Sequence, residues 1–505
     1  MDLSVTGASA ATGRAGQRIE SNRMEDKRKR LVVPQTLKGF RDLLPSEMIA
    51  RNAVVECIRA VCEKYGFVPL DTPILEHLTT LVGTGGEETN KQLFRLASPE
   101  REPIAMRFDL TVPYARLLAQ YPEQLKLPFR RYHLGPVFRA DKPGTGRFRQ
   151  FVQFDMDAAG SESVAVDGEI VAAMAEVMQR CGLAPGEYLI RLNNRKLVDA
   201  VLLGCGITDE ETQKHVKRVI DKLQRAGLDN VRLELGPGRV DESGDPIKGV
   251  GLPAVAIDRV VEFIGVRAGT REETLTALGR LLPKAAASAA ALQEMAAFNE
   301  ALASLGVGQA EAALDPSLMR GLDYYTGPVF ETVLPSAPQF GSVMGGGRYD
   351  QLVARFMDQG IPATGASVGL DRLMDALGHL GKLKVAPTTT QVLILSLRGV
   401  PAGELLRLAT ELRAQNVPAE VFFGDPSAGI RDQLSLANSR QIPVAVIMGE
   451  DELKTGQVAV KDLRVGLQAR AAIKDREEFR KSGKSGQVTV PRAEFVKTVK
   501  QLLEA

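Results

Sequence analysis

Tryptophan is absent from the 505 residues, and aromatic side chains make up only 5%. This argues against a module that stacks carbohydrate on flat rings. No run of about 18 apolar residues is free of charge, so no membrane-spanning helix is expected. Cysteine is scarce: Cys57, Cys62, Cys181 and Cys205 are the four, and none has C-x-x-C spacing. A disulfide scaffold and a zinc ribbon are thereby excluded, and a reducing, cytoplasmic compartment is expected. Histidine is equally scarce, with His77, His133, His215 and His379 scattered and no H-E-x-x-H. No metal centre is expected. Nor is charge of one sign in excess: 64 basic residues face 62 acidic ones, for a net +2. That rules out a polycation but leaves room for local basic patches.

What remains is ordinary globular composition, 44% apolar and 25% charged, in a chain long enough for about three domains. Residues 1–34 read as a disordered tail. They lack the apolar stretch of a secretory signal, and Asp2, Glu20, Glu25 and Asp26 speak against a transit peptide. Apolar residues at helical spacing predict a helix over 46–65, with Ser46 as its N-cap and Gly66 at its end. GFVPLDTPIL then reads as an extended edge segment, because Pro69 and Pro73 cannot donate to a ladder. Residues 103–160 alternate short apolar runs with arginine-rich loops, a pattern of antiparallel strands, and 187–194 reads as another strand. The first part of a core thus spans 35–195. Residues 196–310 read as a mostly helical insertion, with helices over 214–228 and 271–305. Strand-like, glycine-bearing sequence and a helix over 370–380 return the core at 311–380. A linker, 381–390, leads to alternating strand and helix patterns over 391–505, predicting a parallel α/β domain.

The densest chemical signal lies between Phe129 and Gly160. Between Phe129 and Gln150, Arg130, Arg131, Arg139, Lys142, Arg147 and Arg149 are opposed by Asp141 alone. On a strand pair, Arg139, Arg147 and Arg149 would form a cationic floor. Guanidinium forks suit phosphate oxygens, so a nucleotide triphosphate site weighs about evenly against a solvated basic hairpin. Gln153, Asp155 and Asp157 alternate with Phe154 and Met156, so they share one strand face; there Gln153 and Asp157 would hold a small cationic or NH-rich ligand, the alternative being plain outward polar residues on a half-buried strand. Asp109 and Thr111, again two apart, offer a carboxylate and a hydroxyl to an α-ammonium. Downstream come Arg320, Tyr324 and Tyr325, then GGGRYD (345–350), whose glycines admit close backbone approach, and SVGLDRL, ending near Arg372.

Together these segments resemble the histidyl-tRNA synthetases, a family of class II aminoacyl-tRNA synthetases. GFVPLDTPIL resembles the first class II motif, with Pro73 its proline. VFRADKPGTGRFRQFVQFDMDAAG resembles the second and SVGLDRL the third. RGLDYYTGPVFE and GGGRYD resemble the two signatures particular to the histidine enzymes. The likeness runs over roughly 35–465. It departs at FRAD, where many class II members have Arg-x-Glu, and at DLT and DMD, where some family members use Glu.

The resemblance implies an α+β fold: an antiparallel sheet core with a helical insertion and a C-terminal α/β anticodon-binding domain. The implied activity is ATP-dependent ligation of L-histidine to tRNA(His) through a histidyl-adenylate, with Mg2+ accompanying ATP and a homodimer as the working form. By the same resemblance, Arg139 and Arg320 are catalytic, Arg139 at the α-phosphate and Arg320 neutralising charge as the carboxylate attacks. Asp141, Phe151, Arg147 and Arg372 join Arg139 around ATP. Asp109, Thr111 and Gln153 hold the α-amino group, Asp157 and Tyr325 read the imidazole nitrogens, and Tyr324 joins them in the histidine pocket. The alternative is a regulatory subunit of ATP phosphoribosyltransferase, which shares the core and binds histidine without catalysis. It typically lacks the anticodon-binding domain and the signature arginines.

Overall fold

A computed structural model describes residues 32–83, 86–241, 244–319, 324–465 and 486–504. The tail expected over 1–34 therefore falls, apart from 32–34, outside the described residues, and so does Arg320. Residues up to Asp42 form a separate unit from Leu43–Ala505, and the fold below is that of the second.

The first helix runs Pro45–Lys64. It starts a residue earlier than the sequence predicts, because Pro45 has φ preset for the first helical position and no N–H to leave unpaired. Leu44 is the N-cap in place of Ser46, and its N–H donates to the Glu47 carboxylate at 3.1 Å. Gly66, at φ +78°, turns the chain out of the helix as expected.

The central sheet has eight strands. In spatial order they are Val68–Pro69, Phe129–Phe138, Gln150–Ala159, Ala363–Gly369, Met344–Arg348, Pro328–Val333, Leu189–Asn194 and Ala312–Leu314. The interior pairs are antiparallel, and only the two end pairs are parallel. The proline-bearing segment sits at one edge, where a missing donor costs least. Between Met106 and Phe129 the chain forms the helix Thr111–Gln120. That corrects the reading of Asp109 and Thr111 as strand neighbours: the pair straddles a helix start.

The described residues between 195 and 304 are helical apart from connecting turns and a hairpin, Gly238–Val240 with Pro246–Lys248. The helix expected over 214–228 begins at Glu210, where Asp209 accepts from the Thr212 N–H at 2.8 Å. It ends at Asp221, and the next helix, Leu223–Leu235, is kinked at Gly227. The helix expected over 271–305 is two, Arg271–Leu281 and Ala286–Ser304, divided at Pro283. Proline there would remove a helical hydrogen bond and clash with the preceding turn. The alanine-rich helix packs tightly against Ala165–Arg180: a Cβ on Gly168 would come 3.0 Å from Ala301 Cβ.

The C-terminal sheet has the order Ala419–Val421, Val392–Ile394, Val444–Ile447, Gln457–Asp462, Gln487–Pro491. Its first three strands are parallel, but Gln457–Asp462 runs antiparallel to both of its neighbours, which corrects the all-parallel expectation. The helix Phe495–Glu504 closes the domain, burying Phe495 and Val499. Among the described residues, no helix is long and apolar enough to cross a membrane.

Candidate active site

A cleft of about 480 Å³ opens over the middle of the large sheet. Among its lining residues are Asp109, Thr111, Arg139, Asp141, Arg147, Phe151, Gln153, Asp157, Tyr324, Tyr325 and Arg372. The structure thus gathers every residue that the resemblance assigns to the site and that lies among the described residues, while Arg149 and Asp155 do not line the cleft. They come from the helix start at Thr111, the loop 139–149, the strand Gln150–Ala159, the turn preceding Pro328–Val333, and the helix Leu370–His379.

One end of the cleft is cationic. Arg139 lies just beyond the strand end at Phe138, its guanidinium 4.2 Å from the Phe108 ring centre and 5.1 Å from that of Phe151. Its Nε donates to the Phe108 carbonyl at 3.2 Å. Stacking and this hydrogen bond aim a side chain that would otherwise sample many rotamers. Arg147 Nη1 lies 3.6 Å from Asp141 Oδ2. Arg372 Nη1 donates to the Ser342 carbonyl at 2.7 Å. Arg149 is not part of this floor: its Nε donates to the Asp141 carbonyl at 3.1 Å, which braces the loop. The expectation that Arg139, Arg147 and Arg149 share a strand face fails because all three lie in the connection, where strand alternation no longer holds.

The other end is acidic and aromatic. The Asp109 carboxylate accepts from the Val112 N–H at 2.9 Å and so caps the Thr111–Gln120 helix. Burial pushes its pKa up, opposed by that hydrogen bond and by Arg139. The Tyr324 hydroxyl bonds Thr111, and burial holds it well above the usual phenol range. The rings of Tyr324 and Tyr325 lie 4.9 Å apart, and Tyr324 meets Tyr349 edge-on at 6.0 Å. The Gln153 amide donates to the Ser367 hydroxyl.

Asp157 is buried and doubly engaged: it accepts from the Tyr349 hydroxyl and pairs with Arg131 at 2.7 Å. Gly365 opposite it is required, since a Cβ there would overlap the carboxylate. Glycines of the GGGR run serve the protein's own packing: a Cβ on Gly347 would come 2.8 Å from the Tyr325 ring. Of the three, only Gly345 lines the cleft. Arg348, which follows them, is a buried structural cation paired with Asp167. Arg131 and Tyr349 are the residues that sequence reasoning missed. The signal for Arg131 was the strand register, which sets it across from Asp157.

An enzyme that activates an acid on ATP needs fixed cations for the triphosphate beside a polar pocket for the acid. The antiparallel sheet brings both into one cleft, and with the separate mixed α/β domain that follows, these are the features of a class II aminoacyl-tRNA synthetase. Comparison with known proteins narrows the class. The family model described as histidyl-tRNA synthetase matches residues 39–373, and one described as anticodon binding domain matches 391–502. The histidine--tRNA ligase of Rhizobium leguminosarum bv. trifolii is 41% identical over 503 residues, covering 95% of this chain and 98% of its own. The crystal structure of histidyl-tRNA synthetase from Nostoc sp. superposes with a TM-score of 0.76 at 29% identity, over 93% of this chain and all of that one. A Bacillus halodurans protein described as an ATP phosphoribosyltransferase regulatory subunit/histidyl-tRNA synthetase shares the fold at 22% identity, with a TM-score of 0.67, over 83% of this chain. The chain belongs to the histidyl-tRNA synthetase family.

Proposed function

We propose that this protein ligates L-histidine to tRNA(His) at the expense of ATP, through a histidyl-adenylate. The observation that carries this reading is the single cleft in which Arg139, Arg147 and Arg372 stand beside the buried Asp157 carboxylate and the tyrosines 324 and 325. Histidine's carboxylate attacks the α-phosphorus of ATP, the bond to the β-phosphate oxygen breaks, and pyrophosphate leaves. The adenylate then passes its acyl group to the tRNA 3′ end. Positioning and charge stabilisation are the protein's contribution to both steps.

In this reading Arg139 steadies the α-phosphate, and Arg147 and Arg372 meet the outer phosphates. Asp141 and Phe151 receive the adenine. Asp109, Thr111 and Gln153 accept the α-ammonium, while Asp157, Tyr324 and Tyr325 surround the imidazole. A pocket built to pair a ring N–H discriminates strongly, because an analogue without it strands buried polar groups. Arg320 is assigned its catalytic part from the sequence alone. Mg2+ would ride on the triphosphate and neutralise its oxygens; among the described residues no group of three or more ligating side chains forms a cage for it.

The domain division follows the same reading: core at 35–195 and 311–380, insertion at 196–310, linker at 381–390, and tRNA recognition by 391–505. Exposed Val68, Ile74, Leu75 and Leu134, on or near the proline-bearing sheet edge, support pairing of two copies there. The setting is the cytoplasm, where tRNA and ATP are found and free thiols persist. The test is charging of tRNA(His) transcript by the full chain and by a chain stopped after residue 385. The full chain should charge it, and the shortened one should lose charging while keeping adenylate formation. Unchanged charging by the shortened chain would overturn the assignment of 391–505.

A further inference from the structure

We propose that Arg131 is a positioning and specificity residue of the amino-acid pocket, holding Asp157 ionised and oriented as the acceptor for the substrate's ring N–H. The inference rests on the reading of Asp157 as the imidazole contact and deepens it.

Arg131 is fully buried and does not line the cleft. Its Nη2 stands 2.7 Å from Asp157 Oδ2 and 3.9 Å from Asp155, and donates to the Leu110 carbonyl at 3.1 Å. Its guanidinium lies 4.5 Å from the Tyr114 ring centre. A buried guanidinium is costly and is often replaceable by apolar packing without loss of stability. Its place directly behind the one carboxylate that both lines the cleft and accepts from Tyr349 is better explained by what it does to that carboxylate. Asp157 lines the cleft with both oxygens placed by the protein: Oδ1 accepts from the Tyr349 hydroxyl and Oδ2 faces the Arg131 guanidinium.

The groups facing Asp157 come from every neighbouring element. The strand Phe129–Phe138 contributes Arg131 and His133, and Asp157's own strand contributes Gln153 and Asp155. Asp109 and Tyr114 approach from the start and body of the Thr111–Gln120 helix, Tyr349 from beyond Arg348, and Tyr324 and Tyr325 from the cleft. Burial pushes Asp157 up and Arg131 is the largest influence pulling it down. His133 gives no help: burial and the nearby arginines push it down to about 3, so it is neutral at working pH. Without Arg131 the Asp157 carboxyl would gain a proton at higher pH and cease to accept from a ring N–H.

The test begins with the unaltered chain in histidine-dependent ATP–pyrophosphate exchange. Arg131→Met is then expected to raise the KM for histidine on the order of 100-fold with the KM for ATP little changed. It should also move the acid limb of kcat/KM for histidine to higher pH. The substrate's own imidazole titrates identically in both proteins, so the displacement belongs to the protein. Arg131→Lys should restore most of the affinity. If Arg131→Met does not fold, the Arg131→Met/Asp155→Leu pair, which removes two buried polar neighbours of Asp157, replaces it, with the same expected loss. An unchanged histidine KM and acid limb, or equal losses for histidine and ATP, would overturn the inference. Asp157→Ala separates the two readings. If it spares histidine, the imidazole assignment falls; if it cripples histidine use while Arg131→Met does not, only the role of Arg131 falls.

Discussion

The two largest sheets among the described residues bury charge in different places, the C-terminal one only in its strand Gln457–Asp462, at Lys461 and Asp462. In the C-terminal domain, Val392–Ile394 and Val444–Ile447 are apolar and fully enclosed, backed by Leu405, Leu408 and Leu412. In the large sheet, the two strands of greatest length bury Arg131, His133, Asp155 and Asp157 among their apolar residues. Buried charge costs stability unless paired, and apolar burial supplies it at about 25 cal/mol per Å². The difference teaches that the large sheet gives up stability to hold chemistry inside it. The C-terminal sheet is a scaffold whose function must lie on its surface and loops.

The largest effect should separate chemistry from stability. Arg139→Ala is expected to slow histidine-dependent exchange by about 10²–10³-fold, with the melting temperature little altered. A large drop in melting temperature would show that Arg139 is structural. The counterpart is Leu408→Ala, which should cost about 2–5 kcal/mol in the C-terminal domain. Exchange should survive it while tRNA charging weakens on warming; parallel loss of both activities would break the contrast between the sheets.

The smallest effect concerns pH. Burial pushes Asp155 up to about 7, against about 3.9 in an unfolded chain. The folded state therefore holds an extra proton between about pH 4 and 7, and this group's contribution to stability falls as pH rises through that window. Asp155→Asn removes the penalty, so its melting temperature relative to the unaltered protein should climb from pH 4 to pH 8. His133, pushed down to about 3, works in the opposite direction: its contribution is lost as pH falls below about 6.5, so the unaltered protein should show a shallow profile. A difference that stays flat from pH 4 to pH 8 would mean that Asp155 is not protonated in the fold.

Much of this was legible in the residues. Alternation placed Gln153 and Asp157 on one strand face, and Pro69 placed its segment at an edge. What alternation cannot see is where a strand stops. Arg139, Arg147 and Arg149 lie past that point, and their directions are set by Phe108, Phe151 and the Asp141 carbonyl. Asp109 reads from the sequence as a ligand group, and its second part, accepting from the Val112 N–H at the start of the Thr111–Gln120 helix, leaves no mark in strand alternation. Tyr349 could be read as part of a motif, but its bond to Asp157 spans 192 residues of sequence, and no local pattern carries that. The antiparallel strands at 457–462 and 487–491 were missed because the first three strands of their sheet are parallel.

The central claim, that one cleft activates histidine on ATP, is tested most directly by ATP–pyrophosphate exchange with each of the twenty amino acids added singly. Exchange supported by histidine alone is the predicted result. Exchange with none of them, or with another amino acid in place of histidine, would contradict it.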